Sequence, residues 1–259
     1  MTYETIIAET LEGHVACVTL NRAEAMNTFS SQMAQDLYDA LKAFEAAPDV
    51  RVILIKGAGR AFCAGIDVNE LKGKTTQQYR EWIERMEAPL VLISKMHTPV
   101  IAQIHGAAAA NGMGLVAASD LAIAADNVKM GLTAINVGLN CVGPVIPVAR
   151  CVGQKKALEL LLYGDLIKAK EALELGLVNR IVPKEELDEA ALAWARDLAK
   201  KSPVAVKIAK SAFYASRDMP YDAQFAYMNE AFARLCDTDD AKEGVAAFFE
   251  KRPPVWQER

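Results

Sequence analysis

The run Val50-Arg-Val-Ile-Leu-Ile-Lys-Gly57-Ala-Gly-Arg-Ala-Phe-Cys-Ala-Gly65-Ile66-Asp67 begins as a β-branched strand and ends as a loop of small residues. Its first half is short and β-branched, which predicts a buried strand over 50–55; its second half is too rich in glycine and alanine to continue it. A second run, Val100-Ile-Ala-Gln-Ile104-His-Gly106-Ala-Ala-Ala-Ala110-Asn111-Gly112-Met-Gly114, repeats the arrangement fifty residues on. Small side chains let backbone approach backbone or a ligand closely. Two such loops suit chemistry in which backbone N–H groups receive the negative charge that develops on a carbonyl oxygen. The same residues also serve tight turns and close helix packing, and either loop alone decides nothing.

The segments around these runs alternate strand and helix. Two strands are predicted over 5–9 and 15–20 with Glu12-Gly13-His14 as their turn. Ser30 or Ser31 caps a helix carrying Met33, Leu37, Leu41 and Phe44 at helical spacing, ending before Pro48. Between 76 and 96, Tyr79, Trp82, Ile83, Met86, Leu90 and Ile93 outline an amphipathic helix that Pro89 is expected to interrupt. A strand follows at 121–124. Beyond Pro144 the pattern is helical, with one strand at 177–182 and helices across 184–201, 203–215, 221–235 and 239–250. The strand-strand-helix rhythm predicts an α/β fold of ββα units, followed by a helical C-terminal region.

Bulk properties narrow the partners. The formal charge of -4 comes from interspersed acids and bases, so no basic footprint for nucleic acid or an anionic membrane is present. Five cysteines without a CxxC pair, and three histidines, give no metal-ligand spacing and fit reduced thiols in a cytoplasmic setting. No apolar run is long enough to span a bilayer, and the first residues lack the basic-then-apolar pattern of a leader, so a soluble, unprocessed protein is expected.

Placed together, Val18-Thr-Leu-Asn-Arg22 with Met26-Asn27, the loop 57–67, the segment from Ile104 through Gly112 to Ser119-Asp120, and Val152-Gly153 through Ile181-Val182-Pro183 resemble the crotonase, or enoyl-CoA hydratase/isomerase, superfamily along nearly the whole chain. The resemblance implies a spiral of ββα units with a helical trimerisation region, dividing the chain into a core over 1–200 and an oligomerisation region over 201–259. It also implies an acyl-coenzyme A thioester as ligand, with coenzyme A entering as part of the substrate, no tightly bound cofactor and no metal. The N–H groups of Ile66 and Asn111 would form the oxyanion hole. Arg22, Ala64, Gly65, Asp67, Val68 and Gly112 would border coenzyme A, while Phe248 and Lys251 would reach the ligand of a neighbouring subunit in a homotrimer or hexamer.

The pattern departs from that family at the acids. Hydratases of the family carry one glutamate in the helix after the second loop and another in a Phe-Gly-x-Pro-Glu segment; here those positions are Gly114 and Ala134. Neither side chain can move a proton. Cys141 is either a nucleophilic or proton-shuttling thiolate or an inert buried thiol. Asn136 and Asn140 either hold a water or cap turns, and Asp67 either contacts ligand or shapes its loop. None of His14, His97 and His105 stands where it would supply the missing base. Two functions follow: an enzyme on an atypical acyl-CoA that works through a thioester enolate without being an efficient hydratase, or a non-catalytic acyl-CoA-binding or scaffolding protein.

Overall fold

The computed structural model describes residues 2–258. The outermost residues of both regions expected from the sequence, 1 and 259, lie outside the described residues. Strands β1 (Ile6–Leu11) and β2 (Val15–Leu20) form the opening hairpin, turning through Gly13 and His14, both at positive φ. Helix α1 (Ser31–Glu45) starts where the Ser30 hydroxyl accepts the Met33 N–H at 3.1 Å. Then come β3 (Val52–Gly57), α2 (Thr76–Ile93), β4 (Val100–Ile104), β5 (Ala107–Ala109), α3 (Asn111–Ala118), β6 (Leu121–Ala125) and β7 (Lys129–Gly131). The remainder is α4 (Val145–Val152), α5 (Gln154–Tyr163), β8 (Ile167–Lys168), α6 (Ala169–Glu174), β9 (Arg180–Val182), α7 (Leu187–Ala199), α8 (Pro203–Ser216), α9 (Tyr221–Cys236) and α10 (Asp239–Glu250).

Six strands make one sheet in the order β1-β2-β3-β4-β6-β9, parallel except for the opening hairpin, and β5-β7-β8 make a second, small sheet. Every residue of β2 and β4 is buried, the polar Thr19 and Gln103 included, which is why apolar residues dominate both strands and the alternation read over the first twenty residues does not describe β2. The second sheet escaped the sequence pattern because strands of two or three residues have no period to read.

Two further expectations are corrected. Pro89 does not interrupt α2, which runs through it from a capping box at Thr75 and Gln78. The strand expected over 177–182 is only β9; Leu177 and Val178 instead fold back after Gly176 (φ 76°), the Leu177 N–H donating to the Ala172 carbonyl at 2.9 Å. Among the described residues no helix is long and apolar enough to cross a membrane.

The C-terminal helices are fastened to the α/β core by a buried ion pair. Lys210 Nζ on α8 donates to Asp120 Oδ2 at 2.6 Å and to the Thr98 carbonyl at 2.9 Å, and Asp120 also accepts the Val100 N–H. The two side chains are 6% and 14% exposed. Burial pulls the Lys210 ammonium below its usual range, and the Asp120 carboxylate opposes that. Lys210→Met, which leaves Asp120 buried without its cation, is expected to cost about 3–5 kcal/mol. A denaturation midpoint equal to that of the wild type would contradict the assignment.

Candidate active site

The loop after β3 is held from within by Asn27, a buried residue at φ 54°. Its side-chain amide donates to the carbonyls of Ala58 and Ala61, both at 2.8 Å, and its oxygen accepts the Arg22 N–H at 2.9 Å. Met26-Asn27 entered the sequence reading only as part of a motif. Asn27's role as the loop's hub was missed, because the two carbonyls its amide holds lie more than thirty positions away. Arg22 in turn donates to the Thr28 carbonyl at 2.6 Å and to Asp67 at 2.7 Å. Its guanidinium is therefore engaged in fixing the loop, and the role beside coenzyme A expected for it is narrowed to what its remaining donors can reach.

Asp67 takes the loop-shaping alternative. Besides Arg22 it accepts the Asn69 backbone and side-chain N–H groups at 3.1 and 2.9 Å, and the Arg22 hydrogen bond, ahead of the Asn69 bonds, holds its carboxyl below the usual range against a smaller effect of burial. Glu70 is occupied as well: it accepts from the Ser31 N–H and hydroxyl and, at 2.7 Å, from Trp82 Nε1. Neither acid has the freedom a catalytic base needs.

Ile66 is bracketed by two bonds of opposite sense. Phe29 N–H donates to the Gly65 carbonyl at 2.8 Å and Asp67 N–H to the Phe29 carbonyl at 2.7 Å. Among the described residues, the Ile66 N–H has no protein acceptor. The second loop supplies a counterpart. Ala110 sits at φ 48°, ψ −115°, a conformation an alanine adopts at a cost of about 1–3 kcal/mol. It is held there by its N–H to the Gly131 carbonyl on β7 at 2.8 Å. The twist starts α3 at Asn111, whose backbone N–H is likewise without a protein acceptor among the described residues.

The two loops are sewn together. Cys63 N–H donates to the Ala107 carbonyl at 3.1 Å and Ala109 N–H to the Cys63 carbonyl at 2.9 Å, a parallel bridge between loop and β5. Gly65, at φ 117°, lies so near Ala110 that a Cβ there would stand 3.2 Å from Ala110 Cβ, and a Cβ on Gly112 would overlap the Cys63 carbonyl oxygen. The glycines are thus required by this contact between backbones. Two unpaired N–H groups, one at a helix N-terminus, are thus presented by loops bridged to each other, and donors of this kind can stabilise negative charge developing on an oxygen. The side chain of Asn111 adds a third unpaired donor: it is 4% exposed and its amide nitrogen is buried without a partner.

The profile of the enoyl-CoA hydratase/isomerase family matches residues 10–259. The chain belongs to this family. It is 36% identical over 252 residues to (E)-benzylidenesuccinyl-CoA hydratase of Thauera aromatica, covering 95% of this chain and 97% of that one. It is 34% identical over 252 residues to the human mitochondrial enoyl-CoA hydratase domain-containing protein 3, covering 96% and 82%. The crystal structure of the enoyl-CoA hydratase of Mycobacterium smegmatis superposes with a TM-score of 0.95 at 34% identity, covering 98% of this chain and 99% of that one. The fold is thus the crotonase fold expected from the motifs.

Neither Gly114 nor Ala134, the two positions read from the sequence as lacking the family's glutamates, carries an acid. Gly114 lies one turn along α3 from Asn111, and a Cβ there would stand 2.8 Å from Pro144 Cβ and 3.1 Å from Leu90 Cδ2. Ala134 lies in the turn over Thr133–Val137. Cys141, expected either as a nucleophile or as an inert thiol, is 3% exposed, and burial raises its pKa against a hydrogen bond to the Ala134 backbone. That is the environment of the inert alternative. Asn140 accepts the Cys141 N–H at 2.8 Å, a local turn bond, whereas Asn136 donates to the distant Gly164 carbonyl at 3.2 Å, so both amides are engaged with backbone. His105 contacts the Gly59 carbonyl at 3.0 Å, His97 the Ser211 hydroxyl and His14 the Asp49 carbonyl. None of these contacts involves Ile66 or Asn111. Ala64 is tied by its N–H to the Met26 carbonyl and Val68 is exposed, while Phe248 and Lys251 sit on or just after α10, which packs on α8 and α9.

Proposed function

We propose that this protein binds an acyl-coenzyme A thioester with its carbonyl oxygen between the N–H groups of Ile66 and Asn111 and stabilises the enolate formed from it. The observation that carries this reading is the pair of unpaired N–H groups on two loops bridged through Cys63, Gly65 and Gly112. Such donors are preorganised and do not titrate, and removing one typically costs about 10²–10³-fold in turnover. Ala64, Gly65, Val68 and Gly112 border the coenzyme A, and Asp67 with Arg22 keeps their loop in shape. Phe248 and Lys251 complete the nucleotide end from an adjacent protomer of a trimer or dimer of trimers.

Gly114 and Ala134 favour a second reading, a carrier that binds thioesters without converting them. A panel of saturated, 2-enoyl, 3-enoyl and aromatic acyl-CoA thioesters separates the two when binding and product mass are both followed. The aromatic member is motivated by the Thauera relative, which is named for an aryl-substituted thioester. Binding with turnover supports the enzyme, binding without turnover the carrier. Absence of binding in the wild type overturns both. Gly112→Ala, whose new methyl displaces the Cys63 carbonyl, is expected to weaken binding of every member.

A further inference from the structure

We propose that Glu87, on α2, is the proton-transfer group of this site, doing from a different element the work for which the family's other positions offer only Gly114 and Ala134. This rests on the thioester reading above.

The placement comes first. The space in front of Gly114 is closed by Leu90 from α2 and by Pro144 from the turn before α4. Glu87 precedes Leu90 by three residues and so shares its face of the helix. Its carboxylate lies against Gly143, the neighbour of Pro144: a Cβ on Gly143 would overlap Glu87 Oε1 and stand 2.9 Å from Oε2. The two elements that exclude a side chain at 114 are therefore the two that hold the Glu87 carboxylate. Glycine at 143 leaves room for it.

The surroundings come second. Glu87, Leu90 and Gly143 line a cavity of about 520 Å³ together with Ala117 and Ala118 of α3, the helix whose first N–H is the Asn111 donor. Its wall mixes apolar residues such as Val91, Ile146 and Pro147 with polar ones, Lys95, His97, Arg150 and Asp218 among them, and Ile66 and Asn111 do not line it, so the placement of Glu87 rests on its contacts at Gly143 beside Leu90 and Pro144. Glu87 is half-buried, and among the described residues its carboxylate makes no hydrogen bond or ion pair. Asp67, Glu70 and Asp120 all have their oxygens occupied. Burial, and then repulsion from Glu84, raise the Glu87 pKa above the ordinary carboxylate range, which strengthens it as a base.

The chemistry closes without another reactant. The Glu87 carboxylate takes a proton from C2 of the thioester. The C–H electron pair becomes the C1–C2 double bond, and the carbonyl π pair moves onto the oxygen facing Ile66 and Asn111. Glu87, now protonated, either trades its proton with solvent before one is returned to C2, which is exchange, or delivers its proton to C4 of a 3-enoyl chain, which yields the conjugated 2-enoyl thioester. One carboxylate that gives back what it takes suits proton transfer within one substrate better than the addition of water. The substrate class is an unsaturated acyl-CoA with an acidic C2 proton.

The test uses 3-hexenoyl-CoA in D₂O, with deuterium at C2 and the position of the double bond followed by NMR and mass. Wild type is expected to exchange or isomerise, and Glu87→Gln, which keeps size and shape, to do so about 10²–10⁴-fold more slowly with unchanged thioester affinity. Glu87→Asp should regain part of the rate. Gly143→Ala, which pushes the carboxylate aside, should lose rate as Glu87→Gln does. If the wild type binds the thioester but neither exchanges nor isomerises it, or if Glu87→Gln keeps the wild-type rate, the role of Glu87 is overturned while thioester binding stands. If the wild type binds no thioester, the underlying reading falls and the assignment with it.

Discussion

On crotonyl-CoA the protein is expected to add water about 10²–10⁴-fold more slowly than a family member that carries both glutamates, because that is the typical contribution of positioned acid–base groups. Hydration needs one group to activate water and another to protonate C2. Neither Gly114 nor Ala134 can do either, and the amides of Asn136 and Asn140 are bonded to backbone. The loss is measured as the decay of the conjugated thioester and the mass of the 3-hydroxy product. Restoring the first acid alone should not restore the rate, because the Cβ of Gly114→Glu would start 2.8 Å from Pro144 Cβ and 3.1 Å from Leu90 Cδ2. The triple variant Gly114→Glu, Ala134→Glu, Pro144→Gly is the one expected to gain hydration, since it opens the space as well as filling it. Wild-type hydration at the rate of such a relative would show that another pair of groups manages the water.

The crowding at Gly114 bears on the glutamate that the sequence resemblance leads one to expect there. A site that had merely lost its acids would retain space for them. Here Pro144 and Leu90 occupy that space, and the adjoining Gly143 receives the Glu87 carboxylate.

What the sequence disclosed follows from which interactions are local. The strand β4 coincided with its expected range because a fully buried parallel strand is apolar at nearly every position, and the cap of α1 is written within three residues. The loops were legible as glycine- and alanine-rich because two backbones must meet at Gly112 and Cys63. Ala110 was not legible as a strained residue: nothing about alanine announces a φ of 48°, and the Gly131 carbonyl that holds it there is twenty-one positions away. Glu87 was hidden for the opposite reason. It sits among Glu81, Glu84 and Arg85 and reads as one more charge on a helix surface. Only the packing of Gly143 against it, fifty-six residues on, separates it from its solvated neighbours.

The helices α8 to α10 are expected to be covered by other copies of the chain. Tyr221, Phe225, Met228 and Phe232 recur along α9 at four, three and four residues, which puts them on one face, and all are exposed in the single chain, Phe232 at 66%. Phe213 on α8 and Phe248 and Phe249 on α10 are exposed with them. Covering a phenylalanine contributes about 1.5–3 kcal/mol, so a few such residues per subunit suffice to hold an assembly at micromolar concentration. A patch of this extent on a monomer is a site of association. Light scattering should therefore give a trimer or a hexamer, and Phe225→Asp with Phe232→Asp, which would place carboxylates in a dry interface, should shift the mass to that of one chain. Because Phe248 and Lys251 belong to the same helical region, the dissociated variant should also bind acyl-CoA more weakly although its Ile66 and Asn111 loops are untouched. A monomeric wild type would remove the neighbour's contribution to the ligand. A trimer that survives both charges would place the interface on another face.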